Sequence, residues 1–286
     1  MADQKEVARL KELACDMRKK LLYLCGTYEG VVHIGGDLSM TDLLIGLYHH
    51  GMNVNPDDIR DPKRDRFILS KGHGAVCMYI AMALRGFFDY DDILEKYGKL
   101  DSPYGMHVCK VYLPGAECST GSLGHGLAVA VGMAFSARQK KQQHRVFCMM
   151  GDGETCEGSV WEAANTAGSY KMGNLIGIVD KNKQLMTSFA NESISFEHYP
   201  ERWEAFGWNA VEIDGHDMNQ IVDALDNLPP VTSDKPTVII ANTVKGKGVS
   251  FMEGVIGWHA GALSAEDMEK AMAEVDAACE QERSAA

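Results

Sequence analysis

Gly151-Asp152-Gly153-Glu154 stands directly after an apolar run and before a helical pattern, so its glycines let the backbone approach a ligand while Asp152 projects a carboxylate at a strand end. Turns of this kind are common, and alone this one says little. Thirty residues after Asp152, an amide side chain follows a second apolar run at the end of Asn174-Leu-Ile-Gly-Ile-Val-Asp-Lys-Asn182. Histidines supply the other candidate chemistry, because imidazole donates, accepts and shuttles protons near neutral pH. His33, His73, His107 and His259 lie in Gly30-Val-Val-His33-Ile-Gly-Gly-Asp, Asp65-Arg-Phe-Ile-Leu-Ser-Lys-Gly-His73-Gly, Met106-His107 and Trp258-His259. A lone histidine in such a loop is more often part of a turn or core, and that structural role is kept for His49, His50, His144, His198 and His216. In Asp214-Gly-His-Asp217 the aspartate is expected to cap the helix that follows.

Positioning these groups requires a sheet. Apolar runs at 67–70, 146–150, 175–180, 208–213 and 237–243 read as strands. Helical patterns are expected near 73–86, 124–140, 159–171, 198–206, 217–228 and 264–280, and residues 3–25 form an amphipathic helix burying Val7, Leu10, Leu13, Met17, Leu21 and Leu24. Unbroken apolar strands belong in a mostly parallel sheet covered on both faces, a doubly wound α/β fold, whose ligands bind beyond the carboxyl ends of the strands. The loops at 151–154, 180–182 and 214–217 are therefore where chemistry is sought. The 286 residues read as a single domain, with an N-terminal helix over 1–30, a core over 31–263 and a C-terminal helix and polar tail over 264–286. A formal net charge of −12 argues against sequence-independent nucleic-acid binding. No apolar run is long enough to cross a bilayer, and the first residues lack a secretory pattern. Eight scattered cysteines without a CxxC pair suggest buried thiols in a reducing compartment, hence a cytoplasmic protein with no structural disulfide.

The Gly-Asp-Gly…Asn arrangement, continuing through EGSVWEAANTAGSYKMGNLIGIVD, resembles the diphosphate-binding signature of thiamine-diphosphate enzymes. Within that group the chain resembles the amino-terminal half of transketolases over about residues 10–265, because the four histidine motifs, Ser119-Thr-Gly-Ser-Leu123-Gly-His125-Gly and Lys245-Gly-Lys-Gly-Val-Ser-Phe-Met-Glu occur in the family's order. The resemblance implies the thiamine-diphosphate-binding fold of the diphosphate (PP) type. It implies cofactor contacts from His73, Gly121, Ser122, Leu123, Gly151, Asp152, Gly153, Glu154, Asn182 and His259. It also implies Mg2+, or Ca2+ or Mn2+, held by the Asp152 carboxylate, the Asn182 amide oxygen and the Gln184 carbonyl, with water and two phosphate oxygens completing six ligands. The cation and a helix N-terminus after 153 would neutralise a diphosphate in an acidic protein. Catalytic roles fall to His33, His73, His107 and His259, and Glu157 resembles an acid in a proton network between paired sites.

Transketolases are usually about twice this length. Their other half supplies the glutamate that drives formation of the cofactor ylid and the arginines that hold a sugar's terminal phosphate. The resemblance therefore implies the N-terminal, diphosphate-binding subunit of a split, two-chain transketolase that moves a two-carbon ketol unit from a ketose, phosphorylated or an analogue, to an aldose. Its partner would be a C-terminal transketolase subunit in an α2β2 heterotetramer. The interface is expected around Leu123–Met133 and Gly158–Gly168, including Trp161, although the same small residues also suit packing on the sheet. Alternatives are the α subunit of a 2-oxo-acid dehydrogenase and a non-catalytic cofactor-binding subunit; a nicotinamide-binding protein lacks its GxGxxG signal. Three departures bear on specificity: Ile34-Gly35 replaces Pro-Gly, His125 stands where many members have Gln, and the loop Lys183–Phe189 lacks a glycine after Asn182.

Overall fold

The computed structural model describes residues 2–186, 188–189 and 195–285. Five parallel strands form one sheet in the order β1-β2-β3-β5-β4: β1 Arg66–Leu69, β2 Val146–Gly151, β3 Leu175–Lys181, β4 Asn209–Asp214 and β5 Thr237–Asn242. Alternate side chains of the strands feed two cores. Phe67, Leu69, Phe147, Met149, Ile176, Ile178, Ile239 and Ala241 pack under α1 (Gln4–Thr27), α2 (Ile34–Ser39), α3 (Thr41–Gly46) and α4 (Ala75–Arg85). Ile68, Cys148, Met150, Val179, Val238 and Ile240 pack under α6 (Gly126–Gln139), α7 (Gly158–Ser169) and α8 (Tyr199–Ala205). Among the described residues the remaining α-helices are α5 (Tyr90–Lys96), α9 (Met218–Asp226) and α10 (Ala265–Ala285). Each fully buried Leu, Ile or Phe contributes about 1.5–3 kcal/mol, so covering both faces with helices dominates the fold's stability. The doubly wound arrangement agrees with the sequence reading.

Three expectations change. The run at 208–213 reads as a covered strand, but β4 is an edge strand with Asn209, Glu212 and Asp214 exposed and Ile213 buried. The short helices α2 and α3, a π-helical turn at Leu47–Gly51 and α5 have no counterpart in the reading. Cysteine spacing suggests no disulfide, yet Cys15 on α1 and Cys279 on α10 form one, with Cα atoms 6.2 Å apart and 264 residues between them. The two helices pack against each other, and a pairing that depends on such distant segments leaves no local trace in the sequence.

Inside α2, Asp37 is fully buried and neither carboxyl oxygen has a hydrogen-bond partner. Burial pushes its pKa up to about 8, against 3.8 for an ordinary aspartate, and Lys71 opposes this only in part. Between those values the native chain holds a proton that the unfolded chain releases, so this residue's contribution to stability falls as pH rises from 3.8 to about 8. Asp37→Asn, a neutral isostere, is expected to remove that decline, gaining on the order of several kcal/mol relative to the parent at pH 9 but little at pH 4. Denaturant unfolding at the two pH values measures it, and equal alkaline losses in both proteins would contradict it.

Candidate active site

The Gly-Asp-Gly turn lies at the carboxyl end of β2 and Asn182 just past β3, and the two strands are paired through Gly151 and Asp180. Asp152 is 1% exposed, and its two oxygens accept from the backbone N–H groups of Gly153 (2.7 Å) and Lys183 (2.6 Å). Burial first, then the nearby Asp180 carboxylate, raise its pKa to about 6. Asn182 Oδ1 accepts from Gln184 N at 3.1 Å. Lys183, where the resemblance leads one to expect glycine, adopts a left-handed φ of 63°. Gln184 forms an antiparallel bridge to Phe189, and Thr187 of that loop lies outside the described residues. The turn after Asp152 is a single 3-10 turn, Gly153–Cys156, and α7 begins only at Gly158. The first N–H of that turn, at Gly153, is taken by the Asp152 side chain itself.

Both halves of this motif rest on Tyr199. Its hydroxyl donates to Thr155 Oγ1 (2.9 Å), which donates to the Asp152 carbonyl (2.7 Å), while its ring lies 5.7 Å from Lys181 Nζ, next to Asn182. Trp161 Nε1 donates to the Thr155 carbonyl at 2.7 Å, locking the same turn from α7.

Four histidines converge although 226 residues separate the first from the last. Ring centroids of His33 lie 5.2 Å from His73, 6.3 Å from His107 and 5.5 Å from His259, and His73 lies 5.6 Å from His259. Reciprocal backbone bonds between Val32 and Gly261 join the first and fourth motifs (3.0 and 2.9 Å). At Gly35 a Cβ would lie 2.3 Å from the Trp258 carbonyl, so only glycine allows the two segments this approach. His73 sits in the 3-10 turn Gly72–Gly74 after β1. The Tyr79 hydroxyl donates to the carbonyls of Gly105 (3.0 Å) and His107 (3.2 Å), and Thr120 N donates to Val108 O (3.1 Å), placing His107 beside Gly121.

Electrostatics keep three of these rings neutral. Burial, followed by neighbouring imidazoles and lysines, lowers the pKa of His33 and strongly lowers that of His73; burial and Lys245 lower His259 to about 4. Lys245 Nζ lies 2.9 Å from His259 Nδ1 and donates to it, which leaves the ring proton on Nε2. Burial and Lys71 in turn lower Lys245 to about 8. Lys71, 1% exposed, donates to Asp180 Oδ2 at 2.5 Å and to the Gly36 carbonyl at 3.0 Å. Burial alone would raise Asp180, but the Lys71 ammonium and the hydroxyls of Ser39 and Thr243 hold its carboxyl below the ordinary range. Lys71, Asp180 and Lys245 are absent from the sequence reading's candidates. Both lysines lie inside quoted motifs just past β1 and β5, and that position at strand ends was the available signal.

The other named residues fall around this centre. Gly121 (φ 148°), Ser122 and Leu123 form the loop before α6, and His125 precedes that helix with Nδ1 3.0 Å from the Leu123 carbonyl. Glu154, 3% exposed, bonds to protein groups through both oxygens, and Glu157 is exposed at the start of α7. His216 takes the structural role expected of it, bridging Asp42 Oδ2 and Val244 N at 2.9 Å each, and Asp217 caps α9 through Asn219 N.

Among the described residues no group of three His, Cys, Asp or Glu side chains is placed to hold a metal. The donors at Asp152, Asn182 and Gln184 are instead hard oxygens, which suit a magnesium-like ion shared with phosphates and water. His33 Nδ1, Thr120 Oγ1 and Gln184 Oε1 are buried without partners, and a Cβ on Gly151 would meet nothing within 4 Å. Room and unsatisfied polar atoms therefore fit a polar cofactor.

Residues 9–281 match the family model described as transketolase, thiamine diphosphate binding domain. The chain is 41% identical over 245 residues to a protein of Phocaeicola vulgatus named as one subunit of an apulose-4-phosphate transketolase, covering 85% of each. It is 37% identical over 247 residues to the 6-deoxy-6-sulfo-D-fructose transketolase subunit SqwG of a Clostridium species, covering 86% of this chain and 89% of that one. The crystal structure of transketolase from Campylobacter jejuni superposes with a TM-score of 0.82 at 29% identity, covering 96% of this chain but 43% of that one. Spanning nearly all of the subunits but under half of the solved enzyme sets the extent of the likeness.

Proposed function

The chain belongs to the transketolase family, and from that premise we propose that it is the diphosphate-binding subunit of a two-chain transketolase, passing a two-carbon ketol unit from a ketose to an aldose once a partner completes its site. The observation that carries this reading is the gathering of four imidazoles, one of them in contact with Lys245, whose ammonium also feels the charge of the buried Asp152. When bound, thiamine diphosphate supplies the nucleophilic carbon and the electron sink needed to cleave a bond beside a carbonyl. Asp152, Asn182 and the Gln184 carbonyl would hold Mg2+, Ca2+ or Mn2+ at the diphosphate, and Lys245 would add positive charge there, while the charge of Lys71 is offset by Asp180. Gly121, Ser122 and Leu123 form one wall against the pyrimidine. His33, through its unpartnered Nδ1, and His259, through Nε2–H, hydrogen-bond sugar hydroxyls, while His73 and His107 complete the ring that moves protons to and from them.

The missing wall belongs to a C-terminal transketolase subunit. On α6, Leu127, Ala130, Val131 and Ala134 are buried on the sheet, while Val129 and Phe135 are 37% and 41% exposed on the opposite side. Gly132 and Gly158 face open space, and Tyr170 is 59% exposed beside Phe135. One helix thus serves both roles considered for its small residues, and its outer apolar face fits a close-packed partner in an α2β2 assembly. Glu157, exposed at this surface, fits a proton network between paired sites. Among the described residues no helix is long and apolar enough to cross a membrane. The α subunit of a 2-oxo-acid dehydrogenase would use the metal motif but leave the sugar-type histidine set without a task.

Co-expression with the neighbouring reading frame, followed by a ketol-transfer assay over a panel of ketose and aldose phosphates and analogues, tests the reading. Transfer with at least one pair is expected. A complex that binds the cofactor but instead decarboxylates 2-oxo acids would overturn it.

A further inference from the structure

We propose that Glu154 is a positioning residue: its buried carboxylate fastens the three loops that carry the cofactor-facing groups to one another, and so sets cofactor affinity without contact with the cofactor. This rests on the functional reading above. Oε1 accepts from Gly124 N (2.9 Å) and from the Ser70 hydroxyl, and Oε2 accepts from Gly151 N (3.2 Å). Ser70 Oγ in turn accepts from Gly126 N at 3.1 Å, so hydroxyl and carboxylate form one continuous clamp. Every donor belongs to a different part of the site. Ser70 precedes Lys71 and His73, Gly124 and Gly126 follow Gly121, Ser122 and Leu123, and Gly151 precedes Asp152.

The contacts leave no room for slack. A Cβ on Gly126 would lie 2.2 Å from Ser70 Oγ, and one on Gly124, already at φ 83°, would lie 2.6 Å from the Glu157 Cβ. Three donors converge on two oxygens, and an ionised carboxylate accepts from all of them, whereas a glutamine of the same shape must turn an N–H toward at least one. Burial raises the pKa of Glu154, and the three donors, helped by the more distant Lys71 charge, oppose that rise and favour the ionised form. Three of the roughly four acceptor positions of the carboxylate are taken by the loops, and the side chain is 3% exposed, so its main contacts are with the loops.

The test uses the complex with its partner chain and measures thiamine diphosphate affinity in the presence of Mg2+ by calorimetry, together with the near-ultraviolet circular dichroism of the bound cofactor. Glu154→Gln is expected to weaken the dissociation constant by about 10- to 100-fold, as loss of an outer support for a metal site does. It is also expected to change the dichroism of whatever cofactor remains bound, while kcat at saturating cofactor falls less than affinity. Ser70→Ala, which keeps the charge and removes one donor, is expected to weaken affinity by about 3- to 10-fold, and the double variant to show less than the product of the single losses. A lowered melting temperature with unchanged affinity and dichroism in both variants would reduce Glu154 to a general fold contact and overturn the proposal. Should Glu154→Gln fail to assemble, Ser70→Ala decides by the same criterion. Failure of the unaltered complex to bind thiamine diphosphate would overturn the functional reading itself, which separates the two outcomes.

Discussion

Replacing Asp152 or Asn182 by alanine is expected to abolish the stabilisation that thiamine diphosphate and magnesium give the assembled protein. A ligand present at 100 times its dissociation constant stabilises by about 2.7 kcal/mol, or about 5–10 °C in melting temperature for a chain of this size. Each variant removes one of the oxygens assigned to the cation, and a water that fills the vacancy does not anchor the cation to the protein. The unliganded fold should survive, because the two strands stay paired and the Tyr199–Thr155 bond still braces the turn. A pH dependence follows as well. In the unliganded protein Asp152 titrates at about 6, so below that value a cation must displace a proton, and affinity falls about tenfold per pH unit. An undiminished thermal shift in both variants would remove the metal assignment.

The second large effect concerns the histidines. Alanine at His33, His73, His107 or His259 is expected to lower ketol transfer by about 10²- to 10⁴-fold, the usual range for a group that moves protons, while cofactor affinity changes far less. Effects should be unequal, since the four rings differ in burial and partners. His259 titrates near 4 and His73 is depressed further, so both rest neutral throughout the physiological range and move a proton only by accepting at one ring nitrogen while releasing from the other. The rate profile between pH 6 and 8 should therefore owe nothing to their charging. Steady-state kinetics beside cofactor titrations separate the two quantities, and parental turnover in all four variants would return these residues to a structural role.

Four of the strands were legible because a strand buried on both faces is largely apolar, as in VFCMMG and the LIGIV of β3. Edge strand β4 obeys a different rule, and its NAVEID mixes exposed polar residues with Ile213. Helices α2 and α3 have six residues each, too few to show a helical period, and tertiary burial holds them. Local motifs pointed to Asp152, Asn182 and the histidines. They did not point to the Lys71–Asp180 pair or the hydroxyls of Ser39 and Thr243 around it, because those partners meet across separations of 63 to 141 residues. Buried polar networks of this kind are set by topology, and so is the Cys15–Cys279 pairing.

The central claim is that half of the active site resides here and half on another polypeptide. Its most direct test titrates the purified partner into the purified chain with thiamine diphosphate and magnesium present, following ketol transfer and mass by light scattering. No transfer is expected from the chain alone, with activity appearing on addition of partner, saturating at one partner per chain, and mass reaching two copies of each. Full activity from the chain alone would contradict the account.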